Sequence, residues 1–94
     1  MALFVLSVVG SDQAFFWGTH AGAELDLLLI RHGRRYGLEF KTTGAPRMTA
    51  SLHVALADLN LEQAWIVYPG SDSYPVHPQV QAISLDGILR VLAR

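Results

Sequence analysis

A chain of 94 residues, 51% hydrophobic and 16% charged, is long enough for one domain with one core and too apolar to be disordered. A net charge of −1 excludes the basic balance of a protein that holds nucleic acid by charge alone. The absence of cysteine excludes disulfides and thiolate metal sites.

The opening MALFVLSVVG is apolar, lacks a basic n-region and is too short to span a bilayer, so neither a signal peptide nor a membrane segment is expected and the location reads as cytoplasmic. Ala2 to Val9 shows no clear period and reads as the end of a helix or a strand, ended by Gly10-Ser11-Asp12. Ala14 to Thr19 reads as a first strand. Its successive Phe15, Phe16 and Trp17 suggest a strand covered on both faces; a stacking platform for bases is the alternative.

Two runs of strand composition follow, Glu24 to Arg31 and Arg34 to Thr42, separated by His32-Gly33. A two-residue loop containing glycine predicts a β-hairpin. If Arg31 faces Arg34, opposed residue numbers sum to 65, which sets Asp26 against Glu39 and Glu24 against Lys41. Period-2 alternation then places all four on one face. Opposed Cβ atoms lie about 4.5–5.5 Å apart, so the two carboxylates can converge on one cation. Carboxylate oxygens suit Mg²⁺ or Mn²⁺, and Lys41 is placed to orient a water or neutralise a phosphate. These residues therefore suggest a hydrolytic phosphodiester site, with Asp26 and Glu39 on the metal, Glu24 supporting them or acting as an extra metal ligand, and Asp26, Glu39 and Lys41 catalytic. The plain alternative is a Glu24–Lys41 surface pair beside two solvated carboxylates. Five of the seven basic residues, Arg31, Arg34, Arg35, Lys41 and Arg47, fall within 17 positions. The four arginines are candidate nucleic-acid contacts, or else an ordinary solvated hairpin tip.

After a loop from Thr42 to Pro46, the spacing of Met48, Leu52, Ala55, Leu56 and Leu59 predicts a helix from Arg47 to Leu59, with Pro46 in its first turn and Asn60 at its end. His53 is read as structural. Ala64 to Tyr68 reads as a strand buried on both sides. A strand, helix, strand order implies parallel pairing, which makes the Glu39 strand central, with one antiparallel and one parallel neighbour. Gly70 to Pro78 reads as a loop, Val80 to Leu85 as a last strand, and Asp86 as the cap of a final helix to about Leu92. There is no repeat and no linker, so residues 1–94 form one domain. No G-x-S-x-G elbow marks a serine hydrolase, and no G-x-x-x-x-G-K-[ST] loop supplies an ATP site.

Asp26 followed across a hairpin by Glu39-Phe40-Lys41 resembles the D…(D/E)-X-K pattern of the PD-(D/E)XK nuclease superfamily. More narrowly, FFWGTHAGAELDLLL, RRYGLEFK, Ala45-Pro46 and WIVYPG look like the C-terminal domain of unknown function attached to a group of prokaryotic AAA-type ATPases. The resemblance covers about residues 13–90. It implies an α/β fold with a restriction-endonuclease-like mixed sheet, Asp26 and Glu39 as metal ligands, and Lys41 as the catalytic lysine. Such nucleases commonly carry a further acidic residue on a helix ahead of the sheet. Here only residues 1–13 precede it, with no glutamate and a single Asp12, which points to an incomplete N-terminal helix. Two functions follow from different classes: a Mg²⁺-dependent phosphodiesterase domain acting on DNA, or a non-catalytic module that dimerises or docks on a partner ATPase.

Overall fold

Between Arg31 and Arg34 the chain reverses in two residues, and both His32 and Gly33 take positive φ, 52° and 77°. That is the primed turn whose twist matches the strands it joins. The structure, a computed structural model, describes residues 13–93. The expectations for Ala2 to Val9 and for Gly10-Ser11-Asp12 lie outside them.

Among the described residues the strands are β1 (Gln13–Gly18), β2 (Glu24–Arg31), β3 (Arg34–Phe40), β4 (Gln63–Val67), β5 (Tyr74–His77) and β6 (Val80–Ile83); the helices are α1 (Ala50–Asp58) and α2 (Leu85–Leu92). The strands make one mixed sheet in the order β1-β2-β3-β4-β6-β5. β3 with β4 and β4 with β6 are parallel, and the other neighbours are antiparallel. The Glu39 strand is thus central, with one antiparallel and one parallel neighbour, as the crossover order implies.

Alternation divides the sheet's side chains between two apolar layers. Leu25, Leu28, Ala64 and Ile66 meet Leu52 and Ala55 of α1, while Leu27, Leu29, Leu38, Trp65 and Val67 meet Ile88 and Leu92 of α2. β4 is buried on both sides, as its apolar run predicts.

Several boundaries differ from expectation. The first helix begins at Ala50, because the Thr49 hydroxyl accepts the Leu52 N–H at 3.1 Å and caps it there; Pro46 is in the preceding loop. Asn60 ends the helix as expected, with φ 51°, and the Leu61 N–H reaches back to the Leu56 carbonyl. Thr49→Ala should lower stability by about 1 kcal/mol in urea titration, the usual cost of a lost cap. The final helix is capped by Ser84, whose hydroxyl accepts the Gly87 N–H at 3.0 Å, and Asp86 lies within its first turn. The expected loop from Gly70 to Pro78 contains β5, an edge strand that accommodates Pro75 because one side of it needs no ladder donor.

Among the described residues β1 is also an edge strand, and the exposure of its aromatics overturns the expectation of a run covered on both faces. Trp17 packs against the α1 layer, but Phe15 is 46% and Phe16 86% exposed. No described helix is long and apolar enough to cross a membrane.

Candidate active site

The β2–β3 rungs run from Arg31↔Arg34 to Leu27↔Leu38, each pair summing to 65 as the turn predicts. The β1–β2 register is less regular. Phe15 opposes Leu28 and Trp17 opposes Leu25, so Asp26 and Leu27 together face the single residue Phe16. This is a β-bulge, a device that re-aims side chains at the edge of a ladder.

The bulge separates Glu24 from the other carboxylates. Leu25 and Leu28 share one core layer although they are three residues apart, which strict alternation forbids. Gly37, two positions before Glu39 and on its face, lies against Leu25: a Cβ there would approach Leu25 Cδ2 to 3.0 Å. Leu25 therefore shares the face of Glu39, and the adjacent Glu24 turns to the other. Glu24 is exposed, and its backbone N–H donates to Ser51 Oγ at 3.2 Å. No group of three or more His, Asp or Glu side chains suited to a metal ion occurs among the described residues. The expectation of four side chains on one face fails at Glu24 for this reason.

The ladder stops one rung short of the expected Asp26↔Glu39 pair, yet Asp26 stays near enough for its charge to act on Glu39. A continued ladder would direct the Phe40 N–H to the carbonyl of Leu25; instead it donates to Asp26 Oδ2 at 2.8 Å. One carboxylate oxygen replaces a backbone acceptor and orients the other. On the opposite side, the Lys41 N–H donates to the Val67 carbonyl at 2.8 Å. The Phe40-Lys41 backbone is thus held by both neighbouring strands just where β3 ends.

Burial pushes the Glu39 carboxyl above its usual range, the negative charge of Asp26 pushes it further, and Lys41 partly offsets both. A solvated surface carboxylate would show no such burial. These three groups form one electrostatic unit at the carboxyl end of β3, the end at which open α/β sheets place their ligand crevices. Their hard oxygen donors fit a divalent cation that keeps several waters and takes one or two protein carboxylates.

The arginines do not gather around this unit. Arg34 pairs with Glu62 at 3.6 Å, and Arg35 Nη1 donates to the Leu59 carbonyl at 3.0 Å at the end of α1. Arg31 is half-buried and lines a cavity of about 240 Å³ with His32, Tyr36, Trp65, Val91 and Leu92. At about 3.3 Å per residue, Arg34 is about 17 Å along the strand from Glu39. The expected patch beside the carboxylates therefore reduces to Arg47, which lines a cleft of about 290 Å³ with Lys41, Gly44, Ala45 and Pro46. His53 is exposed and meets the ring of His77 edge-on, centroids 5.6 Å apart.

One contributor escapes a reading of side chains alone: the Phe40 N–H, which holds Asp26, has no side-chain signal.

The profile of a domain of unknown function, DUF4143, matches residues 6–88. An uncharacterized protein of Mycobacterium tuberculosis and another of Mycobacterium bovis are each 39% identical over 83 residues, covering 88% of this chain and 19% of theirs. The chain thus spans about a fifth of the length of these relatives. No solved structure matches it.

Proposed function

The chain belongs to the DUF4143 family, and we propose that the end of its third strand is a Mg²⁺- or Mn²⁺-dependent phosphodiesterase centre of the PD-(D/E)XK type, acting on DNA. The observation that carries this reading is the Asp26–Glu39–Lys41 unit, with Asp26 fixed by the Phe40 N–H and Glu39 held above its usual proton affinity. Partly buried like charges are costly, and a cation between them removes the cost. The mixed sheet with a central hairpin strand and a parallel crossover partner suits the restriction-endonuclease-like architecture that the motif implies.

Asp26 and Glu39 would hold the cation, which supplies Lewis acidity and lowers the pKa of a bound water. Lys41, whose charge acts on Glu39, would supply the ammonium that orients the attacking water or neutralises charge on the phosphate. Arg47, across the Lys41 cleft, holds the next phosphate of the strand. The relatives are about five times the length covered here, which leaves room for the ATPase part that the resemblance implies; such an ATPase is the proposed partner.

Calorimetry with Mg²⁺ and Mn²⁺ tests the centre. The native chain should bind saturably, and Asp26→Asn and Glu39→Gln should each abolish binding. Absence of binding by a folded native chain at millimolar metal would overturn the reading in favour of a dimerisation or docking module. Because the cation displaces a proton held above the usual carboxylate range, affinity should rise with pH and proton release should accompany binding below neutrality.

A further inference from the structure

Beside the carboxylates, a cleft of about 410 Å³ lies between Phe16, Trp17 and Gly18 of β1 and Glu24, Leu25 and Asp26 of β2. Asp26 lines the cleft as well as the centre, so the cleft, on the sheet face opposite Glu39, and the centre meet at this one carboxylate. The bulge creates this adjacency, since Phe16 is the residue opposed to Asp26 and Leu27. Phe16 is 86% exposed, a bare aromatic ring at the mouth of a charged cleft. Glu24, turned from the metal face by the same bulge, lines the cleft as an exposed carboxylate that can only accept hydrogen bonds.

An aromatic face beside an exposed carboxylate acceptor fits a flat heterocycle bearing an amino group. Deepening the phosphodiesterase reading, on which this rests, we propose that the cleft is a subsite for one unpaired amino-bearing nucleobase, so that the substrate is a single strand or a frayed end. The base stacks on Phe16 and donates its exocyclic N–H to Glu24. A base within a duplex is stacked on both sides and does not offer its face. Charge favours the same substrate: duplex DNA carries a phosphate charge about every 1.7 Å, and this chain has a net charge of −1 with two of its arginines engaged at the far end of β3. A single strand is less densely charged and supplies bases to stack.

The test is the affinity of the 94-residue chain for short fluorescein-labelled oligodeoxycytidylate, oligothymidylate and blunt duplex, with Ca²⁺ as a hard cation in place of Mg²⁺. Oligodeoxycytidylate should bind tighter than oligothymidylate, and both tighter than duplex. Phe16→Ala should weaken single-strand binding about 5- to 150-fold, the range of one base stacked on an aromatic ring, and Phe16→Trp should restore it. Glu24→Ala should erase the preference for cytosine. Unchanged affinity in Phe16→Ala, with Arg47→Ala still weakening binding, would overturn the subsite and leave the phosphodiesterase reading intact. No binding of any of the three probes by the native chain would overturn both. Phe16 is exposed, so an unaltered thermal midpoint confirms that each variant is folded.

Discussion

Glu39→Gln is expected to reduce metal-dependent cleavage by at least about 10²-fold while raising the thermal midpoint at neutral pH. The loss follows from removing one of two anionic donors in a site whose catalysis would be electrostatic. The gain follows from the raised proton affinity of the same carboxyl. Below about pH 4.5 the group is protonated in folded and unfolded chains alike and costs nothing. As pH rises past that value, the unfolded chain ionises first, so the fold loses stability until the folded carboxyl has ionised as well. The native chain then carries that deficit at pH 7, whereas glutamine carries none. Glu39 is only partly buried and solvent screens part of the effect, which leaves a gain of about 2–4 °C. Saturating Mg²⁺ should raise the midpoint of the native chain and leave the variant unmoved. Melting curves at about pH 4 and pH 7.5 decide the matter. Equal midpoints at the higher pH, or a gap that widens towards the lower, would mean that Glu39 is a solvated carboxyl and not half of a strained pair.

What the sequence made legible and what it concealed divide along a physical line. The hairpin register could be derived because a two-residue turn with Gly33 leaves one pairing, and the sum of 65 holds for every rung from Arg31↔Arg34 to Leu27↔Leu38. The central place of β3 followed from the crossover order. The bulge was invisible because it lives in the β1–β2 pairing, whose longer connection through Gly22 does not pin the register. That single extra residue turns Glu24 away from the face of Glu39 and sets Phe16 opposite Asp26 and Leu27. Edge positions were concealed for a related reason. Composition records how apolar a strand is, not how many neighbours it has, so the aromatic β1 read as core and the proline-bearing β5 read as loop. The arginines failed as a patch because proximity in sequence along a strand becomes distance in space, roughly 3.3 Å for each residue.

Leu38→Ala should cost about 2–5 kcal/mol, a large share of the ~5–15 kcal/mol that holds a domain of this kind together. Leu38 lies between the site residue Glu39 and Gly37, is fully buried, and fills the α2 layer with Leu27, Leu29, Trp65 and Val67. Strands flank it on both sides, so the walls of the resulting cavity cannot collapse. Gly37→Ala probes the other layer by the opposite mechanism. A Cβ at Gly37 would stand 2.9 Å from Leu61 Cδ1 and 3.0 and 3.2 Å from the two Leu25 methyls, all on buried side chains with little room to yield. That overpacking should cost about 1–3 kcal/mol. Urea titration should show both variants unfolding at lower midpoints with unchanged slope, Leu38→Ala the lower of the two. The functional consequence differs from the thermodynamic one. Glu39 and Lys41 are held through the backbone by β2 and β4, so the folded fraction of either variant should still bind Mg²⁺. A Leu38→Ala chain within about 0.5 kcal/mol of the native one would contradict the central position of β3, and with it the rigid frame on which the proposed centre depends.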